Sequence, residues 1–350
     1  MAEALDLCVS CKACRSECPA SVDMAALKTV WQSKKWEETA PPLRTRLFAH
    51  LPVLAKRTAG PLAAVANRLG RSWPARQSLK ALGISSRRAL PTFATDPFSE
   101  SEAPPAATAS GAPRVALYVD TFGKYQEPEI PRAALRVLQA AGASVEVPPY
   151  RCCGRTYLSK GFVPHAERLA RRLVETYAPL ARAGVDIVGL EPSCILTLRD
   201  EVPRLMPDSE DARAVAAAAV TFEEWCDAHA DRLAAVGWRT DSAPGDALVH
   251  GHCHQKALSR ISASHGCLGA AGFAVSETGA GCCGVAGAFG YEAEHYDVSV
   301  AIGEDRLAPA VRRSPGATVV AAGTSCREQI EHLTGRTALH PAQALAARLP

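Results

Sequence analysis

Apolar and polar residues alternate along the second two thirds of the chain in a pattern that predicts strands and helices in turn. A strand-like run begins at Arg114, followed by a helical pattern over residues 129–142, a strand-like run over 144–150 and a helical pattern over 165–184. β-Branched residues favour the strands, and apolar residues spaced three and four apart favour the helices. A third strand-like run from Val185 completes a β-α-β-α-β unit, which is typical of an α/β fold with parallel strands.

The same order of elements recurs in the last third of the chain, which indicates an internal repeat. Strand-like runs begin at Asp246, Phe273 and Thr318, with helical patterns over residues 255–272 and 293–313 between them. The sequence therefore predicts two similar Rossmann-like units, each with a parallel sheet.

Five segments are expected along the chain. They are a partial ferredoxin-like α-helical segment at 1–40, a basic helical segment at 41–94, a flexible linker at 95–113, a first repeat at 114–245 and a second repeat at 246–350. In the basic segment, leucines at helical spacing from Leu43, interrupted by Pro52, predict short helices. The linker is rich in Pro, Ala and Ser, a composition typical of mobile connections.

Cysteines follow the predicted strands at corresponding places in the two repeats. Cys282 stands in the second repeat where Cys152 stands in the first, and Cys326 corresponds to Cys194 at nearly the same spacing. Because the carboxyl ends of parallel strands share one edge, where open α/β sheets bind ligands, these cysteines are expected to meet there.

The two repeats differ in how many thiols they carry. The second repeat has four candidate metal ligands, Cys253, Cys282, Cys283 and Cys326. The first repeat has three, Cys152, Cys153 and Cys194. Transfer of the mean spacing between the shared cysteines onto Cys253 places Phe122 where the fourth ligand would stand. We expect a metal cluster in the second repeat and a degenerate or three-cysteine site in the first, whose thiols otherwise pack as small apolar groups.

The loop sequence GAGCCG from Gly279 has a second interpretation. It matches the G-x-G-x-x-G pattern of dinucleotide-binding loops and follows a predicted strand. The first repeat keeps the paired cysteines without these glycines, so the thiols are the shared feature. Metal binding is therefore favoured over dinucleotide binding.

A run of cysteines near the N-terminus spells C-x2-C-x2-C-x3-C-P. It consists of Cys8, Cys11, Cys14 and Cys18, followed by Pro19. This spacing is typical of iron–sulfur ligation, in which the fourth cysteine ligates the neighbouring cluster of a two-cluster ferredoxin. The chain has one such run where a two-cluster fold needs two, so the missing cysteines are expected from another chain or from a longer protein of which this sequence is the tail.

Other residues have weaker signals. Strand alternation would place His250, His252 and His254 on one side, as hydrogen-bonding support for the cluster or as a zinc or proton-relay site. Cys226 and Cys267 are expected to be buried core thiols.

Composition limits the range of partners. The net charge is +3 from 39 basic and 36 acidic residues, which predicts no nucleic-acid partner. The basic residues concentrate in 28–88, where thirteen Lys and Arg face only Glu37 and Glu38. This face is interpreted as a solvated surface, or as a docking surface for an acidic partner or anionic lipid headgroups. No signal-peptide pattern is present, so we expect a cytoplasmic protein, at most in contact with the inner face of the membrane.

The motifs CVSCKACRSECP, YRCCGRTYLSKGF, HGHCHQKAL and GCCGVAGAFGYE resemble those of the cysteine-rich CCG-domain proteins. They are most similar to the C-terminal ferredoxin and CCG portion of FAD-linked oxidases of the D-lactate or D-2-hydroxyglutarate dehydrogenase type, and to the glycolate oxidase iron–sulfur subunit. The resemblance implies an electron-transfer component with one [4Fe-4S] cluster in the N-terminal run and one in the second repeat. It also implies FAD in an upstream domain or partner chain, and a quinone or carrier as electron acceptor.

The resemblance further implies that this chain does not turn over substrate without its flavin partner, and no catalytic acid–base residue is assigned. Two alternatives stay open. One is a thiol or disulfide reductase of the heterodisulfide reductase type, although Cys326 lacks the C-x-x-C ending of that pattern. The other is a zinc-bound scaffold.

Overall fold

The computed structural model describes residues 2–103, 111–239 and 245–350, and within them the chain forms two parallel β-sheets surrounded by helices. The strands are β1 (Arg114–Tyr118), β2 (Ser144–Glu146), β3 (Asp186–Gly189), β4 (Ala219–Thr221), β5 (Asp246–His250), β6 (Ala274–Glu277) and β7 (Thr318–Ala321). The first sheet has the order β2-β1-β3-β4 and the second β6-β5-β7, all neighbours being parallel. The predicted α/β fold with two parallel-sheet repeats is therefore confirmed.

Helices connect the strands and fill the N-terminal third. Before β1 they are α1 (Ala2–Asp6), α2 (Ala13–Glu17), α3 (Met24–Glu38), α4 (Leu43–Ala49), α5 (Leu51–Thr58), α6 (Ala63–Gly70) and α7 (Trp73–Ala81). In the first repeat they are α8 (Thr121–Tyr125), α9 (Glu129–Ala140), α10 (Arg155–Leu158), α11 (Val163–Arg182), α12 (Pro192–Leu205), α13 (Glu210–Ala218), α14 (Phe222–Ala228) and α15 (Ala230–Ala234). In the second they are α16 (Cys253–Leu258), α17 (Ser262–Ala270), α18 (Tyr296–Asp305), α19 (Leu307–Arg313), α20 (Thr324–Thr334) and α21 (Pro341–Ala346).

The two repeats share one hydrophobic core. Leu117 of β1 and Val249 of β5 lie in the same buried cluster, together with Trp225 of α14 and Leu345 of α21. The opposite face of each sheet packs against its own helices, with Ile187 in one cluster and Val319 in another. Since the shared core joins the sheets, the two carboxyl edges are held in a fixed relation to each other.

Three local features bear on the sequence-based expectations. In the described part of the chain, β4 and the preceding α13 extend the first sheet by a strand that the second sheet lacks. Pro52 lies in the first turn of α5, where its missing N–H costs no hydrogen bond, so it separates two short helices. The thiols of Cys226 and Cys267 are buried in the shared core, as expected.

The expectation of a flexible linker over 95–113 does not describe its first part. Phe98 is 1% exposed, its N–H donates to the carbonyl of Lys124, and Glu100 pairs with the Lys124 ammonium at 2.7 Å. The composition of this segment did not predict the order of its first part, because one buried aromatic side chain, Phe98, anchors a segment that is otherwise polar. Residues 104–110 of the expected linker lie outside the described residues.

Gly189, the last residue of β3, limits how closely α12 approaches the sheet. A Cβ at this position would lie 2.5 Å from Cβ of Ile195 in α12. Gly189→Ala is therefore expected to lower the free energy of unfolding by about 1–3 kcal/mol through overpacking. The control is Gly316→Ala, since a Cβ at Gly316 meets nothing within 4 Å. Urea unfolding of both variants is the measurement, and equal effects would contradict the packing argument.

Candidate iron–sulfur site

The four cysteines of the second repeat follow its three strands. Cys253 is the first residue of α16 after β5, Cys282 and Cys283 lie in the loop after β6, and Cys326 lies in the first turn of α20 after β7. All four therefore stand at the carboxyl edge of one sheet. The thiols of Cys253 and Cys282 are hydrogen-bonding neighbours, and Cys283 neighbours both Cys282 and Cys326.

The protonation preferences of these four thiols divide them into two pairs. Hydrogen bonds from Cys253 and Cys283 lower the pKa of Cys282 to about 2. The hydrogen bond from Cys283, together with His250 and His252, lowers the pKa of Cys326 well below its usual value. Cys253 and Cys283 have raised pKa values because they donate these hydrogen bonds and are buried. Since thiolates are the form that binds metal, Cys282 and Cys326 are the two thiols best prepared for a cationic ligand, and Cys253 and Cys283 would each lose a proton on binding it.

Backbone and histidine groups surround the sulfur atoms. The N–H of Gly284 donates to Sγ of Cys282 at 3.4 Å. A Cβ at Gly323 would lie 2.3 Å from the His252 ring and 3.3 Å from Sγ of Cys326, so only glycine lets the histidine approach this sulfur. N–H donors and imidazoles near sulfur are the groups by which proteins adjust iron–sulfur clusters.

The expectation that three histidines share one side of a strand is wrong, because β5 ends at His250. His252 caps α16, with its Nδ1 accepting from the N–H of His254, and His254 lies in the helix. Nε2 of His254 lies 2.9 Å from the carbonyl oxygen of Ser10. The three rings therefore face different partners.

The first repeat places its three thiols in the same way. Cys152 and Cys153 follow β2, Cys194 lies in the first turn of α12, and Cys153 is a hydrogen-bonding neighbour of the other two. All three pKa values are raised. A hydrogen bond from Cys153 lowers the pKa of Cys194. Burial and the nearby negative charges of Asp120 and Glu191 outweigh that effect, and the pKa of Cys194 is raised to about 12. These thiols are held neutral rather than as thiolates.

Thr121, not Phe122, stands where the second repeat has its fourth ligand. α8 begins at Thr121 with Asp120 as its cap, just as α16 begins at Cys253 with His252 as its cap. The prediction of Phe122 was wrong by one residue, because the spacing between the repeats is not constant and averaging it shifted the register. Oγ1 of Thr121 lies 3.9 Å from Sγ of Cys152.

The N-terminal cysteine run lies against the second repeat. Burial raises the pKa of Cys11, and the negative charge of Cys282 adds to this shift. The charge of Cys11 in turn contributes to the raised pKa of Cys253. Sγ of Cys14 accepts from the N–H of Met24 at 3.4 Å. Cys18 faces outward, where backbone N–H groups of Val22 and Ala20 lower its pKa.

Cys8 and Cys14 lie close enough to Cys11 for their charge to raise its pKa, and Cys18 is not among the groups that do so.

Lys12, within this run, anchors it to the first repeat. Its backbone φ is +64° and its side chain is buried. The ammonium group forms ion pairs with Asp200 and, at 2.5 Å, with Glu201, both in α12. Arg155 also pairs with Glu201 at 2.5 Å. Burial raises the pKa of Glu201, but Arg155 and Lys12 outweigh it and the net shift is downward. No sequence pattern indicated this anchor, since its acidic partners lie in a distant part of the chain.

Glu191 connects the two repeats beside the candidate site. One carboxylate oxygen accepts from the N–H of Thr324 at 2.8 Å, and the other accepts from the hydroxyl of Ser193 at 2.8 Å. Nε2 of His252 lies 3.9 Å from the same carboxylate. A side chain of the first repeat therefore holds the start of α20, the helix that carries Cys326.

Among the described residues, no three His, Cys, Asp or Glu side chains surround a common point as a single metal ion requires. A tetrahedral Zn–S₄ site brings sulfur atoms to about 3.8 Å from one another, given Zn–S bonds of about 2.3 Å. A cubane cluster binds each thiolate at a different iron corner, so its ligands do not have to surround one common point. The four thiols of the second repeat, of which Cys283 and Cys326 are buried and Cys253 and Cys282 are half-buried, are therefore a candidate set for a cluster rather than for a single ion.

Comparison with known proteins agrees with this picture. Residues 117–199 match the family described as cysteine-rich domain. The chain is 26% identical to D-2-hydroxyglutarate dehydrogenase of Escherichia coli over 98% of its own length and 34% of that protein. It is 27% identical to one subunit of the anaerobic glycerol-3-phosphate dehydrogenase of Escherichia coli, over 90% of this chain and 79% of that one.

A further similarity covers half of the chain, at 26% identity, and 74% of lactate utilization protein A of Bacillus thuringiensis. The chain thus spans about a third of the length of the D-2-hydroxyglutarate dehydrogenase that it matches. The resemblance to CCG-domain proteins is confirmed, and the relatives point to an oxidoreductase-related component.

Replacing Lys12 tests the anchor of the N-terminal run. Lys12→Met breaks a buried ion pair and is expected to lower the unfolding free energy at pH 7 by about 3 kcal/mol, the lower end of the usual range, because Arg15 and Arg204 still contact Asp200. Because the folded pKa of Glu201 is depressed, its contribution is present above about pH 4.3, the unfolded value, and is lost as the pH falls through the folded pKa. The difference from wild type should therefore narrow below about pH 4.

The matched control is Lys80→Met, which alters an exposed lysine of α7. Its unfolding free energy should stay within about 0.5 kcal/mol of wild type. A Lys12→Met variant as stable as this control would show that the buried ion pair does not hold the run in place.

Proposed function

We propose that this chain, whose residues 117–199 match the cysteine-rich domain family, is the electron-transfer iron–sulfur component of an FAD-linked 2-hydroxy-acid oxidoreductase. The observation that carries the proposal is the linked set of four thiols at one sheet edge of the second repeat. The names of two relatives, a D-2-hydroxyglutarate dehydrogenase and a component of a glycerol-3-phosphate dehydrogenase, support a dehydrogenase system.

In this proposal the second repeat holds a [4Fe-4S] cluster through Cys253, Cys282, Cys283 and Cys326. Such a cluster supplies one-electron transfer, and it needs no acid–base residue. The protein contributes the thiolates, excludes water by burial, and directs the Gly284 N–H and the His250 and His252 rings toward sulfur. Each of these groups favours the negative charge that builds up on the sulfur atoms.

A second [4Fe-4S] cluster is assigned to Cys8, Cys11 and Cys14, completed by a cysteine from outside the chain. Cys18 would serve the neighbouring cluster of a partner ferredoxin run. Cys11 lies close enough to Cys282 to be influenced by its charge, which supports this arrangement because the two ligand sets are then near each other. Electrons could pass from the N-terminal run to the second repeat without leaving the protein.

The first repeat has a different role. Its thiols are neutral, a threonine hydroxyl stands at the fourth corner, and Asp120 replaces the histidine cap. Burial raises the pKa of Asp120 to about 7, and Glu191 adds to this shift. A carboxyl group beside the thiols opposes thiolate formation, so we assign Cys152, Cys153 and Cys194 to packing and to the support of the second site.

The flavin that would oxidise the substrate is assigned to an upstream domain or a partner chain. The partial coverage of the dehydrogenase relatives supports this division of labour. The acceptor is a quinone or another carrier. Two rival functions make different predictions: a reductase that works directly through the thiols of the CCG loops would carry no iron, and a zinc scaffold would contain zinc without acid-labile sulfide.

The basic segment is proposed to touch an anionic membrane surface. Residues 41–94 hold ten Lys and Arg and no acid, and among their exposed apolar side chains are Leu62 (62%), Leu69 (61%) and Trp73 (73%). Exposed leucine and tryptophan beside exposed cations suit a lipid interface better than an acidic protein surface alone. Among the described residues, no helix has the length and apolarity needed to cross a bilayer.

The cluster assignment predicts a difference between two buried cysteines. After anaerobic reconstitution with iron and sulfide, Cys283→Ala should lose about four irons and the matching visible absorption, as expected for a cubane. Cys194→Ala, its matched control in the first repeat, should keep the wild-type iron content. Equal losses in both variants would overturn the ranking of the two repeats, and zinc without sulfide in wild type would select the scaffold.

Membrane contact predicts co-sedimentation with vesicles of phosphatidylglycerol and phosphatidylcholine at low salt, and little with phosphatidylcholine alone. The triple variant Arg68→Gln, Arg71→Gln, Arg76→Gln should bind at least about tenfold more weakly, given about 1 kcal/mol per cation. Trp73→Gln should also weaken binding, whereas Leu7→Gln, which changes an exposed leucine next to α1 outside this face, should not. Binding that ignores both salt and anionic lipid would rule out a membrane-surface role.

A further inference from the structure

A buried arginine directly follows Cys326, at the carboxyl end of β7. Arg327 lies in the first turns of α20, and its Nη1 donates to the carbonyl oxygens of Ala321 and Ala322 at 2.9 and 2.6 Å. A guanidinium stays protonated even when it is buried. A permanent positive charge is therefore held beside one of the four thiols assigned to the second-repeat cluster.

Arg327 forms an ion pair with a carboxylate of the first repeat. Its Nε and Nη2 donate to the two carboxylate oxygens of Glu127, which precedes α9, at 3.1 and 2.6 Å. The hydroxyl of Thr324 donates to the same carboxylate at 3.0 Å. The Glu127 side chain is 33% exposed, whereas that of Arg327 is 8% exposed. Water therefore screens the carboxylate more than the guanidinium, and the pair does not cancel the positive charge completely.

The charges of Arg327 and Cys326 act on each other. Burial lowers the pKa of Arg327, but the charge of Glu127 outweighs this effect, and Glu191 and Cys326 add to the net upward shift. Four thiolates carry more negative charge than an iron–sulfur core carries positive charge, so a filled site is anionic and gains a further negative charge on reduction. A cation within reach of Cys326 therefore favours the reduced state.

The two repeats differ at this position in a way that packing does not explain. Ile195 follows Cys194 in the first repeat and is fully buried in the core of that repeat. A buried ion pair can often be replaced by apolar residues of similar volume without loss of stability. The fold therefore does not require an arginine after this cysteine, and the arginine stands in the repeat that has all four thiols.

We propose that Arg327 raises the reduction potential of the second-repeat cluster, and that Glu127, which reaches it from the first repeat, limits this effect. The inference rests on the proposed electron-transfer function. It gives the first repeat, to which no cluster is assigned, a part in setting the energy of the transferred electron. The tuned step adds one electron to the cluster, from the reduced flavin in the proposed system, and no bond is broken and no proton moves at Arg327.

Redox titration of the anaerobically reconstituted chain with dithionite tests the proposal. The signal to follow is the visible absorption that Cys283→Ala lacks, which restricts the measurement to the second repeat. Arg327→Gln should lower the equilibrium constant for one-electron reduction about tenfold, as expected for loss of a full charge at an effective ε of about 20, and this is a shift of about 59 mV. Glu127→Gln should raise the constant about threefold, because its carboxylate is the more exposed partner.

The opposite signs separate electrostatic tuning from a structural role. Both substitutions break the same ion pair, so a purely structural contact would shift both potentials in the same direction or leave both unchanged. Either result would overturn the proposal. Arg327→Lys keeps the positive charge, so its potential should stay closer to wild type than that of Arg327→Gln, and an equal fall in both variants would also count against the proposal.

Two matched controls change exposed charges in neighbouring helices. They are Arg313→Gln at the end of α19 and Glu331→Gln in α20. Both should keep the wild-type potential, because water and salt screen exposed charges. Shifts in these controls as large as those at Arg327 and Glu127 would contradict a local effect.

Far-ultraviolet circular dichroism and iron and sulfide counts on the same samples separate the kinds of failure. Should Arg327→Gln fail to fold, Glu127→Gln still decides, since an unchanged or lowered potential there would overturn the proposal. Wild type that takes up no iron contradicts the electron-transfer function itself. Wild type that holds the cluster, with a potential that neither substitution moves, contradicts this inference alone.

Discussion

The structure depends on the convergence of thiols at the carboxyl edge of a parallel sheet. Parallel strands all end at the same edge, so cysteines from three separate loops of the second repeat become neighbours in space. Gathering four thiols in a largely buried site is unfavourable for their ionised forms. The histidines, the Gly284 N–H and the thiol–thiol hydrogen bonds offset that cost at Cys282 and Cys326, whose pKa values are lowered.

Comparison of the two repeats shows how few residues decide this outcome. Both repeats have the strand ends, the CCG loop and the cysteine in the first turn of the following helix. They differ where the helix after the first strand begins: Asp120 and Thr121 in one, His252 and Cys253 in the other. Exchange of an imidazole cap for a carboxyl, and of a thiol for a hydroxyl, removes a ligand and makes the surroundings less favourable for thiolates. The first repeat instead packs beside the second site, where the Glu191 carboxylate accepts a hydrogen bond from the N–H of Thr324.

Much of this was accessible from the sequence, for identifiable reasons. The hydrophobic pattern and the content of β-branched residues located the strands. Their parallel pairing follows from the β-α-β order of elements in each repeat, because a helix between two strands of one sheet joins them in parallel. The cysteine positions at strand ends were therefore predictable. The Lys12 anchor and the Glu191 link were not predictable, because each depends on which long-range neighbours pack together. The spacing that pointed to Phe122 failed for a related reason: loop lengths differ between the repeats, and only the helix starts fix the register.

The most direct test of the central claim is anomalous diffraction at the iron absorption edge from crystals of the anaerobically purified chain. The account predicts a strong iron peak enclosed by Cys253, Cys282, Cys283 and Cys326, and none beside Cys152, Cys153 and Cys194. An iron peak at the first repeat alone, or a peak at the second that appears only at the zinc edge, would contradict it.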